Sequence, residues 1–170
     1  MPPLLKQARR IRMTKEVKQQ FTLRITQANS TELVVILYEM LLCYLEESGQ
    51  ALEGADRAEF HEAMRKARGC LNELINSLRM EYEPAPTLLQ LDLFCVRRLA
   101  AGEAKGDAVP LKEIEQVIRP LHDAYEKIAG QNSAGPVMGN SQAVYAGLTY
   151  GRNTLTENMT DQSANRGMYV

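Results

Sequence analysis

The sequence has few of the side chains from which catalytic and metal centres are built. Its 170 residues include no tryptophan and only two histidines, His61 and His122. Neither histidine follows the Glu-x-x-His pattern of di-iron helical bundles, and we expect both to face solvent beside core positions. The chain also lacks a nucleophile elbow and a glycine-rich phosphate loop. We therefore predict that the protein is not an enzyme and has no catalytic residue, metal or cofactor.

Cysteine is scarce as well, and long apolar runs are missing. Cys43, Cys70 and Cys95 lack the Cys-x-x-Cys spacing of zinc and redox sites, so we interpret them as small, buried, reduced residues. No stretch approaches the roughly 20 apolar residues of a membrane span. The first twelve residues are basic and lack the apolar region of a signal peptide. We expect a cytoplasmic protein.

What the chain does contain is an unusually apolar helix. Between Leu33 and Leu45 the one charged residue is Glu39, and apolar side chains occupy two faces of the helix rather than one stripe. Such a helix must be covered on two sides, and we expect a partner protein to supply part of the cover. A second copy of the chain is the alternative cover. The predicted partner-binding residues are Val34, Tyr38, Leu41, Leu42 and Tyr125, and the alternative for each of them is a position in the core.

Helix-start signals divide the central part of the chain into four helices. Predicted capping boxes pair Asn29 with Glu32, Asp56 with Glu59, and Thr87 with Gln90. A fourth helix begins near residues 107–110 and ends at Gly130, with a kink expected at Pro120. We predict an all-α protein: an antiparallel four-helix bundle at residues 29–130, a basic leader and extended arm at 1–28, and a polar, largely irregular tail at 131–170.

Several of these segments together resemble the FliS family of flagellar export chaperones. Asn29 to Glu39 is similar to that family's "Ser-Pro-Glu-Glu-Leu, then apolar, then Leu-Tyr-Asp" signature. The family's second helix end, third helix and last helix resemble residues 71–81, 97–99 and 122–125 of this chain. The resemblance covers residues 21–130. Ser30 departs from the family's frequent proline, Tyr125 from its frequent tryptophan, and Pro120 is unusual.

The resemblance implies a function and a partner. Members of the family hold the disordered C-terminal segment of flagellin in the cytoplasm, prevent its premature assembly and help present it to the type III export machinery. Some relatives bind regulatory proteins such as an anti-sigma factor. The implied fold, a helical bundle, agrees with the fold that the periodicities predict.

The N-terminal residues allow two interpretations of the arm and one rival function. Phe21, Leu23 and Ile25 alternate with polar residues, which predicts an extended segment that either plugs the partner groove or packs permanently on the bundle. Residues 1–24 hold seven basic side chains and one acidic side chain. This charge suggests a regulator that binds nucleic acid, but the segment lacks interleaved aromatics, so we favour a solvated leader. Met13 is a second candidate translation start.

The tail is rich in glycine, asparagine, serine and threonine, and we expect most of it to be flexible. Tyr145, Leu148 and Tyr150 stand out in this polar background as a candidate docking motif. An incidental cluster in a linker is an equal alternative. The motif lies outside the family resemblance, so nothing about its partner follows from the family.

Overall fold

The computed structural model describes residues 12–139, which form five helices. Residues 12–137 belong to one compact unit. No helix in this range is both long and apolar enough to cross a membrane. The helices are α1 (Lys15–Gln27), α2 (Ser30–Glu53), α3 (Arg57–Ser77), α4 (Ala85–Lys105) and α5 (Val109–Ala129).

The all-α class is confirmed, but the number of helices is larger than predicted. The four predicted helices are α2 to α5, and each packs against its two neighbours in a closed ring, with α2 against both α3 and α5. The first half of α2 contacts the end of α5: Tyr38 contacts Tyr125, and Thr31 contacts Asn132, just beyond α5. The two helices therefore run antiparallel. The fifth helix, α1, lies outside this ring and packs chiefly against α2.

The prediction of an extended N-terminal arm is wrong, because the segment containing Phe21, Leu23 and Ile25 is helical. Thr14 begins α1 by accepting a hydrogen bond from the backbone N–H of Val17. The apparent two-residue alternation also fits a helix, since Phe21 and Ile25 are four residues apart and share a face. A helix satisfies its backbone hydrogen bonds internally, which suits a chain segment that has no sheet edge to join.

The helix ends follow local sequence at most positions. The Asn29 and Glu32 capping box is present, with both reciprocal hydrogen bonds. Asp56 caps α3. The predicted box at Thr87 is wrong, because α4 already begins at Ala85, after Pro84, and no side chain within residues 12–139 caps it. Gly106, with a positive φ of 62°, ends α4, as expected for the residue type that adopts this conformation without strain.

The core lies inside the ring of four helices, and α2 contributes most to it. Nearly every residue of α2 from Val35 to Leu45 is buried or half-buried, which confirms that this helix is covered on more than one side. The three cysteines are buried and free, as predicted. Burial raises the pKa of each thiol to about 12, so all three stay protonated at neutral pH.

Candidate partner-binding surface

Glu39, the single charge in the apolar stretch of α2, is almost fully buried, with 3% of its side chain exposed. Its carboxylate meets side chains from two other helices. Arg24 of α1 donates from Nη1 to Oε2 and from Nη2 to Oε1, the latter over 3.1 Å. Nε2 of His122, on α5, lies 3.6 Å from Oε1, which is an ion-pair distance and too long for a hydrogen bond. Glu39 thus links α1, α2 and α5.

These contacts determine the charge state of the Glu39 carboxyl group. Burial alone would raise the pKa of Glu39, but the polar contacts and positive charges of His122 and Arg24 outweigh it and lower the pKa. The pKa of His122 is raised, chiefly by the Glu39 carboxylate, against the opposing effect of burial and with help from Asp123. The carboxylate is therefore ionised at neutral pH, and its stabilisation depends on nearby positive charge.

The prediction that both histidines face solvent is half wrong. His61 is exposed and contacts Glu103, whereas His122 is 3% exposed and lies at the contact between α5 and α2. Its neighbour Leu121 is only half-buried, so at this turn of α5 the buried position belongs to His122 rather than to Leu121. The sequence signal that was missed is Glu39, because a lone acidic residue in an apolar helix requires a buried basic partner.

One group of side chains in the described part of the chain has the atom types of a metal site. His122, Asp123 and Glu126 offer ligand atoms within 4.8 Å of one another. However, Nδ1 of His122 already contacts Asp123 at 3.0 Å, and both acidic side chains are exposed on one helix. Exposed acidic groups of this kind are common without a metal, and we assign no metal to them.

α1 is attached to α2 by few side chains. Phe21 is buried, and Val17 and Ile25, one helical turn to either side, pack partly buried against the core. Arg24 lies over the ring of Phe21, with its Cζ atom 5.7 Å from the ring centroid. Before the helix, the backbone N–H of Met13 donates to Glu47 over 2.7 Å, so α1 runs antiparallel to α2. Leu23 is only half-buried.

The residues predicted to bind a partner fall into two groups. Tyr38, Leu41 and Leu42 are buried in the bundle, and Leu41 has no exposed surface. Val34 and Tyr125 are half-buried and pack against the edge of the core. Tyr38 and Tyr125 contact each other, with ring centroids 5.8 Å apart. The structure therefore brings Tyr38 and Tyr125 together between α2 and α5, and the role of all five residues in binding stays a prediction.

The same region contains a buried carboxyl group that sequence reasoning missed. Asp92 of α4 is 1% exposed, and its Oδ1 has no hydrogen-bond partner among the described residues. Burial raises its pKa to about 6. Burial, and after it the charge of Asp92, also raises the pKa of both Tyr38 and Tyr125. An acidic residue inside the apolar stripe of α4 was the available signal.

Asp92 should destabilise the fold at neutral pH. The folded protein holds the proton more tightly than the unfolded chain, so stability falls as the pH rises through about 6. We expect Asp92→Asn to raise the free energy of unfolding by about 1 kcal/mol at pH 8, with the gain shrinking toward pH 4. Urea titrations across this range measure the effect. Glu73→Gln, at an exposed position of α3, is the control and should show no such trend.

An open cleft of about 760 Å³ lies at the end of the bundle where α2 and α4 end and α3 begins. Its lining combines the apolar Phe60 with side chains of both charges, including Arg57, Lys105 and Glu103. Glu103 is already paired with His61 and Arg68. Nothing in this lining indicates a particular ligand, so we place the candidate site at α1, α2 and α5 instead.

The predicted tail motif, Tyr145, Leu148 and Tyr150, lies outside the described residues. The start of the tail is described, and it contacts the beginning of α2. The Asn29 side chain donates to the backbone oxygen of Asn132 over 3.3 Å, and the Val137 N–H donates to the backbone oxygen of Ala28 over 3.0 Å. These contacts hold the chain beyond α5 against the N-terminal end of α2.

Comparison with known proteins identifies the family. A model of the family described as flagellar protein FliS matches residues 13–132, which include all five helices. The flagellar secretion chaperone FliS of Bacillus subtilis (strain 168) is 26% identical over 103 residues, which cover 61% of this chain and 77% of that protein. The residues matched by the family model include α1, Glu39 and His122. The chain therefore belongs to the FliS family of flagellar proteins.

Proposed function

We propose that this protein is a cytoplasmic chaperone that binds the disordered C-terminal segment of flagellin, prevents premature polymerisation and assists type III export. Family membership supports the flagellar role, and the Bacillus subtilis relative is described as a secretion chaperone. The chemistry required is burial of apolar surface, so no catalytic group is needed. Export components and regulatory proteins are further partners that fit the same family.

The observation that carries the proposal is the arrangement of α1 on the ring of four helices. α1 covers part of α2 through far fewer contacts than those that join the other neighbouring helices. The surface beneath it belongs to a helix that is apolar on two faces. An amphipathic helix laid in such a groove buries its apolar stripe, a recurrent mode of peptide recognition. A client segment therefore has a surface to occupy once α1 moves.

α1 is then the candidate plug of this groove. Phe21 and Ile25 point their apolar side chains toward the bundle, while Leu23 contributes less because it is half-buried. A chain that lacks residues 1–26 should bind the client more tightly, since the plug no longer competes. Unchanged or weaker binding by a folded truncated chain would instead favour a helix that stabilises the bundle permanently.

Calorimetric titration tests the proposed function. The full chain is titrated with the C-terminal segment of flagellin from the same organism at several temperatures. We expect a one-to-one complex with a strongly negative heat-capacity change, because apolar surface is buried and a disordered client becomes ordered. A scrambled segment of the same composition is the control. Absence of binding by both the full and the truncated chain would refute flagellin as the client.

A further inference from the structure

The ion pair between Arg24 and Glu39 constrains what can replace α1. Arg24 contacts both oxygens of the carboxylate, and among the described residues it is the only hydrogen-bond partner of Oε2. Nε2 of His122 lies 3.6 Å from the other oxygen and makes no hydrogen bond with any residue that the structure describes. Glu39 belongs to the bundle, but its principal counter-charge belongs to α1.

Removing α1 would leave this carboxylate without its hydrogen-bonding cation. Arg24 is the more exposed partner of the pair, with 30% of its side chain exposed against 3% for Glu39, so we expect water to reach Glu39 from the side of Arg24 once α1 leaves. A partner helix that covers the same surface would exclude that water again. Burial of an ionised carboxylate without a paired donor is strongly unfavourable, so an apolar partner alone would bind poorly.

We propose that Glu39 is a specificity-determining residue that receives an arginine or lysine side chain from the bound client, in the place that Arg24 occupies in the free protein. This inference rests on the proposed function, because it concerns the client that displaces α1. The client then needs a basic residue at a defined position in addition to an apolar surface. A client with no correctly placed cation is rejected through the desolvation of Glu39.

The geometry of α1 supplies that pattern. Val17, Phe21 and Ile25 recur every four residues and face the bundle, and Arg24 follows Phe21 by three residues. In a helix these spacings put the cation beside the central apolar residue, as the contact of Arg24 with the Phe21 ring shows. A client helix that runs in the direction of α1 needs large apolar residues at four-residue spacing and a basic residue three positions after the central one.

A double-mutant cycle tests this inference with the full chain and the flagellin C-terminal segment. Each lysine and arginine of the segment is replaced by glutamine, one at a time, and the affinity is measured for the natural chain and for Glu39→Gln. We expect one client substitution to weaken binding to the natural chain at least tenfold and to Glu39→Gln less than threefold. Glu113→Gln, which removes the carboxylate of a surface pair with Arg98, is the matched control and should keep the tenfold loss.

A second variant, Arg24→Gln, keeps the Glu39 carboxylate and removes the cation that competes with the client for it. Arg24→Gln should bind the unmodified segment about tenfold more tightly, because binding then gains an ion pair instead of exchanging one. The Arg24→Gln measurement remains informative even if circular dichroism shows that Glu39→Gln does not fold.

Unchanged affinity of Arg24→Gln would overturn the inference, as would losses of affinity spread evenly over all basic client residues. If no variant binds the segment, the proposed function fails as well, whereas binding without coupling to Glu39 refutes this inference alone.

Discussion

Leu41→Ala should lower the free energy of unfolding by about 2 to 5 kcal/mol. Leu41 has no exposed surface and lies in the core cluster of α2, so its truncation removes buried methyl groups and leaves a cavity. The loss is measured by urea denaturation at neutral pH, with circular dichroism as the probe. We expect the slope with denaturant to stay unchanged and the midpoint to fall.

The control for this prediction is Lys112→Ala, at an exposed position of α5, which should change stability by less than about 0.5 kcal/mol. The result also bears on the predicted role of Leu41 in binding. A stability loss below about 1 kcal/mol would mean that the core relaxes around the site, which is the behaviour of a groove rather than of a packed interior. Client affinity measured where Leu41→Ala is fully folded separates the two roles.

Arg24→Gln should lower the free energy of unfolding by about 2 kcal/mol. The change leaves the buried Glu39 with His122 as its remaining positive neighbour. Loss of one partner of a fully buried pair typically costs about 3 to 5 kcal/mol, and we expect less because the Arg24 side chain is 30% exposed. Urea denaturation measures the total effect, and hydrogen exchange should show faster exchange in α1 than in α2.

Two variants control for this effect. Arg119→Gln removes an exposed cation that pairs with Glu115 one turn earlier, and it should cost less than about 0.5 kcal/mol. The double variant Arg24→Gln, Glu39→Gln should recover part of the stability lost in Arg24→Gln, because no charge is then left buried. Equal losses for Arg24→Gln and Arg119→Gln would show that water satisfies Glu39 in the folded chain.

The contribution of the pair between Arg24 and Glu39 to stability also depends on pH. The pKa of Glu39 is lowered in the folded protein, so its contribution to stability is present at neutral pH and is lost as the pH falls through the carboxyl range. Asp92 behaves in the opposite way, because its raised pKa favours folding in acid. Acid titration of the natural chain therefore contains both effects, and the single variants separate them.

Local chemistry accounts for most of what could be predicted. The capping box of Asn29 and Glu32 and the glycine at position 130 each depend on a few neighbouring residues, and both are where the sequence indicated. The apolar faces of α2 depend on the helical repeat alone. Two errors occurred where a short pattern has two interpretations. Residues 21–26 satisfy both a two-residue and a four-residue period, and α4 begins at Ala85, after Pro84, rather than at the predicted capping box of Thr87.

By itself, the sequence determined the helical class, most helix ends, the burial of α2 and the resemblance to a flagellar chaperone family. These depend on hydrogen bonds and apolar periodicity within single segments. The tertiary structure alone decided that α1 docks on α2 and that Arg24, Glu39 and His122 meet. Their meeting depends on the rotation and axial register of three helices that are distant along the chain. No local pattern specifies that register, because it results from packing four helices around one core and α1 against α2.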